Sequence, residues 1–211
     1  GAINYPQTKP PGYFYSAGRP PPPDAVQQAL DAFSAGETEI LWNAKPRFGK
    51  TLTTYDLMRR LDVEKVLIVT NRPAIANSWY DDFIKFIGHQ TTFKFVSESP
   101  SLASRSPMSR QQWRHMLAST NEGDHRIVEF ISLQDLKGSQ YFGGTFPKLK
   151  HIADYDWDLL VIDEAHEGVD TTKTDVAFGY IKRRFTLHLS GTPFRALDLS
   201  GRARCSCGMV R

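Results

Sequence analysis

Residues 159–166 have the sequence Leu159-Leu160-Val161-Ile162-Asp163-Glu164-Ala165-His166. Four consecutive apolar residues are typical of a strand that is buried on both faces, as in a parallel sheet. This strand would end on two adjacent carboxylates, at the edge where open α/β sheets bind ligands. Asp163 would bind Mg²⁺, directly or through water, and Glu164 would orient or activate an attacking water as a general base. An alternative interpretation of the acidic pair alone is that it caps the following helix.

A second stretch favours the first interpretation. Residues 44–51 have the sequence Ala44-Lys45-Pro46-Arg47-Phe48-Gly49-Lys50-Thr51, between a predicted strand and a predicted helix, which is the context of a phosphate-binding loop. The backbone N–H groups of such a loop and the positive end of the following helix attract phosphate. Lys50 would reach the β- and γ-phosphates of a nucleotide, and the Thr51 hydroxyl would hold Mg²⁺. Ala44 departs from the strict motif, which has glycine at this position.

A third stretch, Leu189-Ser190-Gly191-Thr192-Pro193, again follows a predicted strand. Hydroxyl groups at a strand end can hydrogen-bond to nearby carboxylates and respond to the state of a bound nucleotide. By itself the stretch also suits an ordinary Ser-Gly turn. The three stretches occur in an order that lets one sheet bring them together, and this agreement weakens the helix-cap interpretation of Asp163 and Glu164.

Alternation of apolar and amphipathic segments predicts the rest of the fold. Short apolar runs predict strands at 40–42, 66–69, 93–96, 127–131, 159–162 and 185–189, and amphipathic spacing predicts helices at 50–61, 73–86 and 110–118. A further helix would begin at an Asp24 N-cap and close at Gly36. Strands that alternate with helices indicate an α/β domain whose mostly parallel sheet is flanked by helices.

The two ends of the chain differ in composition from its centre. Residues 1–23 finish on four consecutive prolines, which favour an extended arm over a helix. Residues 198–211 lose the periodicity and carry both cysteines, so we expect a tail that is non-native-looking or disordered. Residues 24–197 would form the folded domain. The absence of cysteine from that range is compatible with a reducing cytoplasm.

Composition argues against several classes of protein. The 211 residues are 40% hydrophobic and 23% charged, and they lack the roughly 18 uninterrupted apolar residues that a membrane span needs. The net charge of +3 is too small to indicate nucleic-acid binding by itself, so any basic contact surface must be local. The six histidines show no metal-ligand spacing, which argues against a zinc enzyme.

Together the stretches resemble the first RecA-like domain of superfamily 2 DEAD/DEAH-box helicases and translocases. The resemblance covers residues 24–197 and rests on residues 44–51, 66–79, 159–166 and 189–196. Arg47 and Phe48 are unusual for the superfamily and are similar to the helicase domains of bacterial restriction-modification enzymes. The resemblance implies a RecA-like P-loop NTPase fold in which residues 44–51 and Asp163 bind ATP, and Thr51 and Asp163 bind Mg²⁺.

The same resemblance implies roles for further residues. Lys50, Asp163 and Glu164 would carry out catalysis. His166, Ser190 and Thr192 would couple hydrolysis to movement along the nucleic-acid strand. The nucleic-acid backbone would contact Thr70, Asn71 and Arg72, since an arginine beside a helix start suits a phosphate. Residues 130–136 resemble a second strand-contacting segment. A solvated helix start is the alternative interpretation of residues 70–72.

Members of this superfamily close ATP between two RecA-like domains, and the second domain supplies arginines that stabilise the transferring phosphate. We expect this chain to lack the second domain and to hydrolyse ATP weakly or not at all by itself. The whole protein would be a helicase or translocase whose partner is nucleic acid, with double-stranded DNA as the expected form. Two alternatives stay open: a nucleic-acid-binding module with a relic nucleotide site, and a P-loop ATPase that acts on a protein or a small molecule.

Overall fold

The computed structural model describes residues 23–43, 49–120, 125–164, 171–190 and 203–205. Within these ranges, seven strands form one sheet in which every pairing is parallel. The strands are β1 Glu39–Asn43, β2 Lys65–Thr70, β3 Phe93–Val96, β4 Arg126–Ser132, β5 Trp157–Asp163, β6 Arg183–Ser190 and β7 Ala203–Cys205. Their order across the sheet is β3-β4-β2-β5-β6-β1-β7.

Helices connect the strands, because a chain that forms parallel strands has to cross back over the sheet between them. The α-helices are α1 Pro23–Ser34, α2 Lys50–Leu61, α3 Ala76–Phe86, α4 Arg110–Ser119, α5 Leu133–Gly138, α6 Lys150–Asp154 and α7 Thr171–Gly179. Short 3₁₀ turns occupy Pro73–Ile75, Pro100–Arg105 and Gln140–Phe142. No helix in the described ranges is long and apolar enough to cross a membrane. The predicted α/β class, with a parallel sheet flanked by helices, is confirmed.

The near-continuous apolar runs form the central strands. Successive residues of β2 point to opposite faces of the sheet. Val66 and Ile68 belong to a buried cluster with residues of α1, α2 and α3. Leu67 and Val69 belong to a second buried cluster with residues of α4, α5, α6 and α7. Because both faces of the strand are covered, its sequence is apolar throughout instead of alternating with polar residues.

Two helix starts differ from the prediction. The expected N-cap Asp24 lies inside α1, which begins at Pro23; proline fits the first helical position because the N–H that it lacks would be unpaired there. The helix expected from Pro73 begins as a 3₁₀ turn and becomes α-helical at Ala76. Arg72 is extended, with φ −106° and ψ 99°, since a residue before proline avoids the helical region.

A short edge strand lies in the segment that was expected to be a non-native-looking or disordered tail. Residues 203–205 of β7 pair with residues 40–42 of β1. Part of the segment 198–211 therefore extends the sheet beside β1. The division into arm, domain and tail stays a prediction.

A buried carboxylate connects two helices to the sheet. Glu129, in the middle of β4, is fully buried, and its carboxylate accepts a hydrogen bond from Arg110 Nε at 2.8 Å. The Nε2 atom of His151 lies 2.8 and 3.1 Å from the two carboxylate oxygens. Arg110 lies on α4 and His151 on α6, so the buried Glu129 carboxylate connects both helices to the sheet.

Gly144 lies where its backbone closely approaches the end of α5. A Cβ atom at this position would stand 2.3 Å from the carbonyl oxygen of Lys137 and 2.4 Å from the backbone of Gly138. We expect Gly144→Ala to lower the free energy of unfolding by about 1–3 kcal/mol, because a backbone yields less easily than a flexible side chain. Urea denaturation measures the effect beside Gly179→Ala, whose Cβ would meet nothing within 4 Å. Equal stability of the two variants would contradict the expected steric conflict.

Candidate functional site

Four neighbouring strands end in polar residues at one edge of the sheet. Thr70 of β2 pairs with Asp163 of β5, and Asp163 pairs with Leu189 of β6. Ser190 at the end of β6 pairs with Asn43 at the end of β1. The strand-end residues of the three sequence stretches therefore lie along the same edge.

Lys50 is the first residue of α2, and its side chain reaches the strand ends at this edge. The preceding residue, Gly49, has φ 73° and ψ 38°, a left-handed conformation that glycine adopts without strain. The Nζ atom of Lys50 lies 2.8 Å from Asp163 Oδ1 and 3.8 Å from Glu164 Oε1. The ammonium group therefore lies within reach of both predicted acidic residues, and it is the closest positive charge to Asp163 among the described ion pairs.

The carboxylate of Asp163 is fully buried and has a partner at each oxygen. Lys50 Nζ donates to Oδ1, and the indole Nε1 of Trp79 donates to Oδ2 at 3.0 Å. A buried charge is tolerated only when it is paired and hydrogen-bonded. Lys50 and Trp79 therefore provide the partners that the Asp163 carboxylate needs at the end of a core strand.

Glu164 has an unusual backbone conformation. Its φ is 54°, in the left-handed region that residues with a Cβ atom seldom occupy. Its backbone N–H donates to the carbonyl oxygen of Leu189 at 3.0 Å, which continues the β5–β6 pairing past the end of β5. Such strained residues concentrate at functional sites. The residue that we expect to act as the base therefore has a strained backbone at the end of β5.

The Thr51 hydroxyl, the second predicted Mg²⁺ ligand, donates a hydrogen bond to Asp82 Oδ2 on α3. Thr51 is 7% exposed. Burial raises the pKa of Asp82 above its ordinary value, and the hydrogen bond from Thr51 opposes that shift in part. The contact joins the start of α2 to the middle of α3.

These side chains fit a nucleotide with Mg²⁺. In the described ranges, no group of three or more His, Cys, Asp or Glu side chains could hold a metal ion. Nucleotide sites hold Mg²⁺ by one or two protein ligands together with the phosphates, and the oxygens of Thr51 and Asp163 are ligands of that type. The Lys50 ammonium and the N-terminus of the 12-residue helix α2 carry positive charge that would suit the phosphates.

Residues 70–72 form a turn between β2 and α3. The Thr70 side chain is fully buried, and its hydroxyl accepts a hydrogen bond from the Arg72 backbone N–H at 3.2 Å. The Asn71 N–H points to the carbonyl oxygen of Asp163 at 3.4 Å. Arg72 is exposed. In this segment Thr70 thus shapes the turn, and Arg72 presents its side chain at the surface.

A cavity of about 480 Å³ lies elsewhere, between α5 and α7. Lys137, Gly143 and Thr172 are among its lining residues, and none of the predicted site residues lines it. The predicted nucleotide chemistry lies at the strand ends, because Lys50, Asp163 and Glu164 meet there and do not meet at this cavity.

The sequence profile of the family described as "Type III restriction enzyme, res subunit" matches residues 17–195. The chain belongs to this family. The match includes residues 44–51, 159–166 and 189–195, which carry the helicase resemblance, and that resemblance is confirmed. The res-subunit domain is a RecA-like domain of the helicase type.

Comparison with individual proteins gives a consistent result. A protein of Mycoplasma pneumoniae, whose name describes a type II restriction enzyme and methyltransferase, is 28% identical over 151 residues, which are 69% of this chain and 19% of that protein. A nuclease-deletion mutant of the Type ISP restriction-modification enzyme LlaGI, solved with a DNA substrate mimic, has a TM-score of 0.58 and 19% identity over 85% of this chain and 18% of that one.

A second solved structure, the SWI2/SNF2 ATPase core of Sulfolobus solfataricus in complex with dsDNA, has a TM-score of 0.55 and 18% identity. It matches over 81% of this chain and 31% of that one. At these identities the two structures establish a shared fold. The res-subunit domain spans less than a third of each of the three proteins.

Part of the predicted site lies outside the described residues. This applies to residues 44–48 of the predicted phosphate loop and to the predicted coupling residues His166 and Thr192. The third coupling residue, Ser190, is 9% exposed at the end of β6, next to the residue that pairs with Asp163. The roles of all these residues stay predictions.

Sequence analysis missed two residues that contact the predicted site of the res-subunit domain. Trp79 bonds to Asp163 and Asp82 bonds to Thr51, both from α3. Trp79 belonged to the predicted helix at 73–86 and to stretch 66–79 of the family resemblance, but no role at the site was predicted for it. A signal was present in the sequence: Trp79 and Asp82 are three residues apart, so they share a helix face directly after the turn at 70–72.

Proposed function

We propose that the chain is the ATP-binding domain of a DEAH-type helicase or DNA translocase within a restriction-modification enzyme. The observation that carries this proposal is the position of Lys50 Nζ, 2.8 Å from Asp163 and 3.8 Å from Glu164. A lysine at a helix N-terminus beside two carboxylates at strand ends is the arrangement that phosphoryl transfer from a nucleotide requires.

In the proposed reaction, Lys50 turns from the two carboxylates to the β- and γ-phosphates and donates hydrogen bonds to them. Asp163 and the Thr51 hydroxyl would hold Mg²⁺, which would neutralise charge on the phosphates. Glu164 orients the water that attacks the γ-phosphorus and accepts its proton as the general base, while the bond from that phosphorus to the bridging oxygen breaks and ADP leaves.

We propose double-stranded DNA as the nucleic-acid partner, in contact with residues 70–72. The exposed Arg72, beside the start of a helix, can hold a phosphate of the DNA backbone. Two structures with the same fold were solved with a DNA substrate mimic and with dsDNA, which supports this partner. Since the buried Thr70 stabilises the turn, we assign it to shaping the contact rather than to touching DNA.

We further propose that the parent protein supplies a second RecA-like domain, and that hydrolysis by this chain alone is slow. The chain covers 19% of its Mycoplasma pneumoniae relative, which leaves room in such a protein for further domains. An arginine inserted from a second domain accelerates phosphoryl transfer by about 10³–10⁵-fold in related reactions. Binding of ATP is therefore a more direct test of this chain than turnover.

We expect the chain to bind Mg²⁺-ATP and Lys50→Ala to bind it about ten- to a hundredfold more weakly. A hydrogen bond to a charged group contributes about 1.5–3 kcal/mol, which corresponds to that change in Kd. Isothermal calorimetry measures both proteins. Lys182→Ala is the control, because Lys182 is exposed and precedes β6 at the opposite edge of the sheet.

Absence of binding by the wild type would contradict the proposed function, and so would equal binding by Lys50→Ala. In the full-length parent, hydrolysis that double-stranded DNA does not stimulate would favour an ATPase that acts on another substrate. Binding of DNA together with no binding of nucleotide would favour a relic site.

A further inference from the structure

Helix α3 contacts both predicted Mg²⁺ ligands. Trp79 Nε1 donates to Asp163 Oδ2 at 3.0 Å, and Asp82 accepts the hydrogen bond of the Thr51 hydroxyl. The two α3 residues are three positions apart and therefore lie on one face of the helix. Thr51 lies on α2 and Asp163 on β5, far apart in the sequence. One face of α3 therefore contacts two predicted ligands that come from different elements.

Trp79 is itself held firmly. Its side chain is fully buried, and its backbone carbonyl accepts a hydrogen bond from the Tyr55 hydroxyl at 2.6 Å. The rings of Tyr55 and Trp79 meet edge to face with centroids 5.6 Å apart. Burial raises the pKa of Tyr55 well above its ordinary value, so the phenol stays protonated and can donate. The indole N–H is therefore a fixed donor rather than a mobile one.

The indole N–H leaves one oxygen of Asp163 for a cation. Oδ2 is held by Trp79, whereas Oδ1 is held by Lys50, the residue that we expect to move to the phosphates. An indole has a donor and no acceptor, so it cannot bind a cation in place of the carboxylate. Trp79 thereby keeps the carboxylate plane in one orientation while Lys50 leaves Oδ1.

Asp82 has the corresponding effect on Thr51. A hydroxyl has one proton and two acceptor lone pairs, and the direction of the proton decides where the lone pairs point. The neighbouring threonines donate within their own helix, Thr53 to the Gly49 carbonyl and Thr54 to the Lys50 carbonyl. Thr51 instead donates across to another helix. Its proton is thus directed toward α3, and its lone pairs are free for a metal ion.

We infer that Trp79 and Asp82 are positioning residues for the Mg²⁺ ligands, Trp79 through Asp163 and Asp82 through Thr51. This inference rests on the proposed Mg²⁺-ATP site. Residues that hydrogen-bond to metal ligands do not touch the metal, yet their removal weakens metal affinity by about 10–100-fold. The same size of effect is expected from α3.

The test of Trp79 is the Mg²⁺ concentration that half-saturates ATP binding, measured by calorimetry on the chain. We expect Trp79→Phe to raise this concentration about tenfold, because phenylalanine fills most of the space but leaves Oδ2 without its donor. Trp157→Phe is the matched control. Trp157 is also fully buried, and its Nε1 donates to the Ile152 carbonyl at 3.0 Å, on the same strand as Asp163 but at its other end.

The test of Asp82 uses the same measurement. We expect Asp82→Ala to raise the half-saturating Mg²⁺ concentration about tenfold and Asp82→Asn to restore most of the loss, because the asparagine carbonyl can still accept from Thr51. Asp81→Ala is the control, since the adjacent Asp81 is exposed and pairs with Arg105. Rescue by asparagine separates an acceptor role from a general loss of stability.

The outcomes separate this inference from the proposed function. If the wild type binds Mg²⁺-ATP through Lys50 while Trp79→Phe matches Trp157→Phe and Asp82→Ala matches Asp81→Ala, the positioning role is wrong and the proposed function stands. If the wild type does not bind Mg²⁺-ATP, both are wrong. If Trp79→Phe does not fold, the Asp82 variants decide, and a normal Mg²⁺ requirement in Asp82→Ala overturns the inference.

Discussion

Glu164→Gln is expected to leave Mg²⁺-ATP binding close to that of the wild type and to slow ATP hydrolysis in the full-length parent by about 10²–10⁴-fold. That range is the usual contribution of a general base, and glutamine cannot accept the proton of the attacking water. The substitution keeps the length of the side chain and its Cβ, so the left-handed backbone with φ 54° carries the same strain in both proteins. Hydrolysis is measured as phosphate release in the presence of double-stranded DNA, and binding is measured separately by calorimetry.

Glu64→Gln is the control for this substitution, because Glu64 is exposed and precedes β2, away from the strand ends. A Glu164→Gln protein that hydrolyses ATP at the rate of the wild type would remove Glu164 from the chemistry. A parallel loss of binding and hydrolysis would instead assign it to nucleotide binding.

Arg110→Met is expected to destabilise the domain by about 3 kcal/mol. Removing one partner of a buried ion pair costs about 3–5 kcal/mol, because the other charge stays buried without compensation. The lower end applies here for two reasons: the Arg110 side chain is 22% exposed, and His151 remains within 2.8 Å of Glu129. Urea denaturation measures the change in the free energy of unfolding.

Two further variants test the reason for this loss. Arg114→Met lies one turn later on α4, is exposed, and is expected to be nearly neutral. The double variant Arg110→Met with Glu129→Leu is expected to recover much of the stability, since an apolar pair avoids burying a charge. A double variant less stable than Arg110→Met would show that Glu129 stabilises the domain through His151 even without Arg110.

Much of the fold could be predicted because its main elements are long or strongly apolar. The predicted helix at 50–61 and the predicted strand at 93–96 have the bounds that the structure gives to α2 and β3. The short elements α5, α6 and β7 were not predicted, since five or six residues, or three, carry too little periodicity to be recognised. Strand order was not predictable either, because it depends on contacts between distant parts of the chain.

One part of the candidate site could be predicted from the sequence and another part could not. The approach of Lys50 to Asp163 follows from the rule that parallel strands end at one edge of the sheet. The contacts from α3 follow from no such rule. The hydropathy of Trp79 marks it as a core residue and carries no information about its N–H, and Asp82 could equally have been a solvated residue on the outer face of the helix.

The place of β1 in the sheet determines the order in which the domain can assemble. β1 directly precedes the predicted phosphate loop in the sequence, yet it lies beside β6, with Ile40 paired to Leu187. On the ribosome, β1 emerges long before β6, while β2 can already pair with β4 and with β5. Contacts between such distant segments are slow to form. A nascent chain halted before residue 183 would therefore have a partial core in which β1 still lacks its β6 neighbour, and β7 could join β1 only afterwards.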